Sequence, residues 1–512
     1  MRSTVNMLFF LALLLFVSAT YPQSSATKPE GKDPKASQKD APVPKEESVV
    51  TQHSVTINGQ VIKYTATVGT LLLKEEQGKA KASVFFIAYT KNDGKRKGAR
   101  PITFSFNGGP GSSSVWLHLG VLGPKRVYMN DQGFAPSPPY HLVDNDHSLL
   151  DETDLVFIDP VSTGYSRAVP GEDPKQFHGV KQDIESVGDF IRLYTTRFER
   201  WDSPKFLIGE SYGTTRAAGL SGYLQNRHGM YLNGIMLISS ILDFQTARFD
   251  PGNDLPYILF LPTYTATAWY HHRLSDTLQQ DFRKTLTEAQ EFAQNEYALA
   301  LMKGAELGDD EKKQIVTKLA KYTGLSPQFI EDSNLRVPIF RFVKELLRAD
   351  RLTVGRLDSR FTGIDRDAAG ENFEYDPSYA AIQGSFTGTL NAYVRHDLGF
   401  KSDLPYEILT GRVRPWNFKN YENRYVNVAE TLREAMTKNR NLKLFVANGY
   451  YDLATPFFAT LYTINHLGLE PELQGNVTMG YYEAGHMMYI HRPSLVQLKH
   501  DLANFIQSST PQ

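Results

Sequence analysis

The stretch Lys205-Phe206-Leu207-Ile208-Gly209-Glu210-Ser211-Tyr212-Gly213 constrains this chain more than any other. An apolar run ends abruptly in Gly-x-Ser-x-Gly, and helix-compatible sequence continues from Thr214. A serine at such a strand-to-helix turn takes a strained backbone conformation with its hydroxyl exposed, and the flanking glycines keep Cβ atoms away from neighbouring backbone. The same pentapeptide also fits an ordinary strand-to-helix turn, so residues elsewhere decide whether Ser211 is a nucleophile.

A serine hydroxyl is a poor nucleophile at neutral pH and needs a base, which in turn needs an orienting carboxylate. On an α/β-hydrolase scaffold the chain order is Ser, then Asp or Glu, then His. Asp452 directly follows the apolar run Leu442 to Ala447, and His486 directly follows the run Val477 to Tyr482, which satisfies that order. Asp452 has a second reading as a helix N-cap ahead of Pro456, and His486 as a surface-loop histidine. An oxyanion needs two backbone N–H donors: Tyr212 supplies one, and the loop Asn107-Gly108-Gly109-Pro110-Gly111 can supply the other. That loop lacks the Lys-Ser/Thr ending of a nucleotide-binding loop. His491 lies near His486, and His271 beside His272, but neither pair has the acidic or sulfur ligands of a metal site, so no metal and no cofactor is expected.

The chain around these motifs alternates strands and helices. Period-two runs from Ser54 to Ile57, Val61 to Tyr64, Thr67 to Leu71 and Ala82 to Tyr89 predict antiparallel strands, with turns at Asn58-Gly59 and Asn92-Asp93-Gly94. After Pro101, apolar strands followed by helical segments predict a parallel sheet covered on both faces. From 243 to 424 the signals are mainly amphipathic helices, such as Leu278 to Leu299 and Ile315 to Tyr322, and predict an inserted cap. Strand-helix alternation then resumes. The expected organisation is a signal peptide over 1–19, a flexible leader over 20–48, a hydrolase core over 49–242 and 425–512, and the cap between them. The fold class is α/β: an α/β-hydrolase with a mostly parallel central sheet, antiparallel N-terminal strands and a helical cap.

Composition narrows the partners. With 55 Lys and Arg against 56 Asp and Glu, no global field recruits nucleic acid or an anionic membrane. The absence of cysteine removes disulfides, thiolate metal sites and thiol nucleophiles. Met1-Arg2 followed by the apolar stretch Met7 to Val17 and small residues at Ser18-Ala19 predicts a cleaved secretory signal and a secreted or periplasmic protein with no other membrane attachment. Asn476-Val477-Thr478 is read as strand rather than as a glycan acceptor.

Taken together, these motifs resemble the serine carboxypeptidase family. Asn107-Gly108-Gly109-Pro110-Gly111-Ser112-Ser113 is similar to its Asn-Gly-Gly-Pro-Gly-Cys-Ser signature, and Gly209-Glu210-Ser211-Tyr212 to its elbow. Asp159-Pro160 with Gly164-Tyr165-Ser166, Asp452 before Pro456, and Gly485-His486 before Arg492-Pro493 extend the likeness from about Phe85 to the C-terminus. The resemblance implies removal of one residue from the free C-terminus of a peptide through an acyl-enzyme on Ser211, His486 and Asp452. It implies an oxyanion hole at Gly109 and Tyr212, a substrate-carboxylate clamp at Asn107, Gly108 and Glu210, and contact of Met487 with the departing residue. Core filling is the other reading of Met487. A clamp glutamate works only while protonated, so activity is expected to favour pH below neutral.

The chain departs from that pattern at several positions. Ser112 stands where the family has cysteine, which suggests a bacterial branch. Ser105 replaces a common tryptophan, and Thr214-Thr215-Arg216 follows no usual pattern. Val121 stands where several members carry a glutamate that partners the clamp glutamate, with Glu483 as a candidate substitute. An esterase or acyltransferase on the same triad, and a secreted binding protein with a vestigial triad, are the alternative functions.

Overall fold

Alternation of polar and apolar residues after Ser48 becomes three antiparallel strands, β1 (Ser48–Ile57), β2 (Gln60–Lys74) and β3 (Ala80–Lys91). Asn58 and Gly59, both at positive φ, close the first hairpin, and β1 pairs with β2 in unbroken register from Ser48↔Gly69 to Ile57↔Gln60. The two runs expected as separate strands within 61–71 form a single strand, because β2 is paired along both edges, to β1 and to β3. This computed structural model describes residues 41–94 and 100–510. The predicted signal peptide and the leader up to residue 40 therefore lie outside the described residues. The end of that leader is tied to the sheet: the Glu47 carbonyl accepts from the Thr70 N–H at 2.8 Å, and Glu46 Oε1 from the Leu72 N–H at 2.8 Å.

After Pro101 the strands are apolar on both sides: β4 (Ile102–Phe106), β5 (Asp154–Ile158), β6 (Lys205–Ser211), β7 (Gly234–Ser240), β8 (Lys443–Gly449) and β9 (Val477–Tyr482). Every residue of β4, β5 and β7 is buried, as a sheet covered on both faces requires. The sheet runs β1-β2-β3-β5-β4-β6-β7-β8-β9, with the short strand Arg167–Ala168 added to β3. From β5 to β9 neighbouring strands are parallel.

The pleat divides the side chains into two cores. Phe206 and Ile208 join Phe157, Met236, Phe445 and Phe505 on one face. Leu207 joins Phe104, Val156, Leu237 and Val446 on the other. That second face is covered by α1 (Val180–Arg197) and α2 (Tyr212–His228), which contribute Phe190, Ile191, Leu220 and Leu224.

The segment predicted as one cap, 243–424, divides in two. Its first part, beginning with α3 (Leu255–Tyr270), builds a third core from Leu259 to Val354. The single helix expected from Leu278 to Leu299 is broken there, because Asp281 Oδ1 accepts from the Lys284 N–H at 3.0 Å and caps a new helix, Phe282–Phe292. The second part is not lid. Ile382, Phe386, Leu390 and Tyr393 of α4 (Pro377–His396) pack into the first-face core of the sheet. Helical periodicity reports an amphipathic helix and not the surface it covers, so the pattern over 243–424 does not separate the two parts. The chain then returns through α5 (Ala429–Lys438), α6 (Phe457–Asn465) and α7 (Arg492–Ser509).

Candidate active site

Ser211 sits where β6 turns into α2, at φ 60 and ψ −129, a conformation a side chain adopts only when its surroundings over-determine it. The glycines explain how the turn closes. A Cβ on Gly209 would lie 2.2 Å from the Gly213 carbonyl oxygen, and one on Gly213 would lie 2.7 Å from that of Phe106. The 107–111 loop lies directly against this elbow: a Cβ on Gly108 would stand 2.4 Å from the Tyr212 nitrogen, and Gly109 has φ 102. The Gly108-Gly109 backbone and the Tyr212 N–H are thus neighbours.

Asp452 and His486 meet as their order on β8 and β9 predicts. His486 Nδ1 and Asp452 Oδ2 are 2.8 Å apart, and both residues are buried. The carboxylate is held from every side. Oδ1 accepts from the Ala454 and Thr455 N–H groups at 2.8 and 3.0 Å, and Oδ2 accepts from the Thr455 hydroxyl at 2.6 Å. One oxygen therefore caps the turn before α6 while the other meets the imidazole. The helix itself starts at Phe457, so the N-cap alternative describes a turn cap.

Three contacts bring His486 to Ser211. Ser240 is the sheet partner of Ser211, and the adjacent Ser239, at φ 52, donates its hydroxyl to the His486 carbonyl at 2.6 Å. From the other side, Tyr489, three residues after His486, donates to the carboxyl of Glu210, which precedes Ser211. Among the described residues, the Ser211 hydroxyl and His486 Nε2 make no hydrogen bond. Burial works against an imidazolium at His486. The Asp452 charge and hydrogen bond, with Glu210 behind them, outweigh it and hold the imidazole above its ordinary value.

Glu210 is buried, and its two oxygens are occupied by the Asn107 side-chain amide at 3.0 Å and the Tyr489 hydroxyl at 2.5 Å. Burial pushes its carboxyl up to about 7, against the pull of His486 and of the two hydrogen bonds. Glu483 is not its partner. It is exposed, with its carboxylate 3.7 Å from Arg283. Val121 is buried in the core, and the partner of Glu210 is Tyr489, which the sequence reading missed. Its position on the turn after His486 was the available signal.

Two further devices were not legible. Arg216, fully buried, pairs with Asp183 at 2.8 and 3.0 Å, donates to the Asn107 carbonyl at 2.6 Å and lies over the Phe106 and Tyr212 rings. It fixes the loop against the elbow. The segment 356–359 joins the loops of Asp452 and His486: Leu453 N–H donates to the Arg356 carbonyl, Ser359 N–H to that of Tyr451, and His486 N–H to that of Leu357. Asp358 adds an acceptor for the Gly485 N–H at 3.1 Å while pairing with Arg360. Where the family has cysteine, the Ser112 hydroxyl accepts from Trp116 Nε1 at 2.9 Å and donates to the Ser113 carbonyl.

A cleft of about 1180 Å³ opens onto this constellation, with Gly109, Ser211, Tyr212 and Thr455 in its wall and Phe244, Phe260, Phe340 and Trp416 around it. Asn107, Glu210 and His486 are buried next to it. Met487, expected to contact the departing residue, packs into the first-face core, so its burial is explained by core filling.

Sheet order, elbow and the position of Asp452 and His486 define an α/β-hydrolase. The serine carboxypeptidase family (peptidase S10) matches residues 67–493, and the chain belongs to that family. It is similar to the pheromone-processing carboxypeptidase KEX1 of Saccharomyces cerevisiae, 33% identical over 145 residues, which cover 27% of this chain and 19% of that protein. The match thus spans about a fifth of that relative's length. It is also similar to serine carboxypeptidase-like 36 of Arabidopsis thaliana, 23% identical over 374 residues, 72% of this chain and 65% of the relative. Among solved structures, that of KEX1(delta)P, a prohormone-processing carboxypeptidase from Saccharomyces cerevisiae, superposes with a TM-score of 0.56 at 19% identity over 87% of this chain and 91% of the other.

Proposed function

We propose that this protein is a serine carboxypeptidase that removes the C-terminal residue of peptides bearing a free terminal carboxylate. The observation that carries the reading is the buried Glu210 carboxyl, raised to about 7, one residue from Ser211 and bridged by Tyr489 to the loop of His486. An elbow of the form Gly-Glu-Ser-x-Gly also suits an esterase, but the Asn107-Gly108-Gly109-Pro110 loop against it favours a peptidase. A neutral carboxyl there serves a carboxypeptidase, because an ionised Glu210 repels the substrate anion and a neutral one, with the Asn107 amide and the Gly108 N–H, accepts it.

In the proposed cycle the Ser211 hydroxyl attacks the last peptide carbonyl and its proton passes to His486 Nε2. The Gly109 and Tyr212 N–H groups hold the oxyanion. His486 returns the proton to the leaving nitrogen as the C–N bond breaks, leaving an acyl-enzyme. Water then attacks the acyl carbon, gives its proton to His486 and releases the shortened peptide as Ser211 is reprotonated. Asp452 keeps the Nδ1 proton in place throughout. The apolar N-terminal stretch Met7 to Val17 supports export from the cytoplasm.

The test is turnover of a blocked dipeptide as its free acid, its C-terminal amide and a simple acyl ester, with wild type and Ser211→Ala. The expected result is preference for the free acid, lost in the variant. Equal cleavage of acid and amide favours a general hydrolase, and no turnover favours a binding protein.

A further inference from the structure

The cleft carries more positive charge than a terminal-carboxylate clamp requires. Three arginines line it, Arg248, Arg356 and Arg414, against a single acid, Asp250, whose carboxylate accepts from the Tyr425 hydroxyl at 3.3 Å. Among the described residues none of the three guanidinium groups pairs with a carboxylate. Arg248 lies over the Phe244 ring, 5.9 Å from its centre. Arg356 is the most telling. It is half-buried, and its backbone is fixed at both ends: its N–H donates to Asp376 Oδ1 at 3.1 Å and its carbonyl accepts from Leu453. It is close enough to His486 that its charge opposes protonation of the imidazole. A half-buried cation with no carboxylate partner, in the wall of the cleft beside the reacting groups, is placed to meet an anionic group of the substrate.

Resting on the carboxypeptidase reading, we infer that the cleft selects peptides with an acidic side chain in one of the last two residues, and that Arg356 is the residue that recognises it. The guanidinium presents a fork of donors that matches a side-chain carboxylate in two parallel hydrogen bonds, with Arg248 and Arg414 adding field at the cleft wall. Such a contact discriminates against the neutral amide of the same shape by about tenfold or more.

The experiment is kcat/KM for blocked free-acid dipeptides carrying Glu, Gln or Lys at the penultimate position, and a second set varying the final residue, for the full-length enzyme and for Arg356→Gln and Arg356→Lys. The expected result is a Glu-to-Gln ratio of about ten or above in one set, a lower value for Lys, and collapse of that ratio toward one in Arg356→Gln with partial retention in Arg356→Lys. A ratio near one in both sets, or a preference for Lys, overturns the inference while turnover of the Gln peptides leaves the carboxypeptidase reading standing. A loss in Arg356→Gln that is equal for Glu and Gln peptides also overturns it, since it assigns the arginine to the terminal carboxylate. If Arg356→Gln is poorly folded, the wild-type Glu-to-Gln ratio and its decline in 0.5 M against 0.05 M salt test the acidic preference, and a ratio unchanged in Arg356→Lys overturns its assignment to Arg356.

Discussion

At the scale of single residues, the site depends on carboxyl groups held in opposite ways. Asp452 accepts three hydrogen bonds besides that of His486, which fix both of its oxygens. Replacing it by Asn leaves the turn but offers His486 the wrong tautomer, and kcat is expected to fall by about 10⁴-fold in stopped or steady-state assays. Thr455→Val removes one donor from the same oxygen and should lower kcat by about tenfold or less, with KM little changed. Glu210 is held the other way, by burial, and its titration near 7 has a definite sign. On the proposed reading, free-acid peptides are expected to bind below that pH, where it is neutral, and kcat/KM to fall about tenfold per pH unit above it, where the ionised form repels them. On the acid side, activity is expected to fall as His486, held above its ordinary value, becomes protonated. Tyr489 donates to Glu210 and so favours its charged form. In Tyr489→Phe the alkaline limb of the kcat/KM profile is expected to move upward. A downward shift would show that the tyrosine instead protects the neutral form. The serine, aspartate and histidine were legible because each follows an apolar strand, whereas Tyr489, Thr455 and Arg216 were not: each acts through a hydrogen bond to a residue distant in sequence or already assigned.

Elements bring these residues together through close backbone approach rather than through side-chain bulk. The elbow, the 107–111 loop and the His486 loop meet at glycines: besides Gly108 and Gly209, a Cβ on Gly449 would lie 2.2 Å from the Gly485 carbonyl oxygen. Arg216 on α2 locks the first of these contacts. Arg216→Ala leaves Asp183 buried without its partner and is expected to destabilise the fold by about 3–5 kcal/mol, read as a lower midpoint in denaturant titration. Segment 356–359 does the same for the Asp452 and His486 loops. Asp358→Ala removes the acceptor of Gly485 and leaves Arg360 unpaired, so kcat should drop even where the variant is assayed well below its unfolding midpoint. Strand positions were readable from period and burial, since a sheet covered on both faces demands continuous apolar runs. The linking segment was not, because its work is done by backbone groups that any sequence carries.

For the whole molecule, the sheet provides two cores and the first part of the insertion a third, which also takes in Tyr450, Tyr451, Leu453 and Phe457 on either side of Asp452. The insertion is therefore tied to the loop of Asp452, and with Phe260 and Phe340 it helps wall the cleft that Ser211 also lines. The split of the 243–424 segment between cap and sheet could not be read from its helical pattern alone. On the proposed reading, a neutral Glu210 next to Ser211 makes this hydrolase an exopeptidase. This role of Glu210 is tested most directly by the ratio of kcat/KM for a blocked dipeptide free acid to that for its amide, measured from pH 5 to 9 in wild type and Glu210→Gln. The expected result is a ratio far above one below about pH 7, a fall above it in wild type as the carboxyl ionises, and no such fall in the variant. A ratio near one at every pH, or an alkaline fall that persists unchanged in Glu210→Gln, would contradict it.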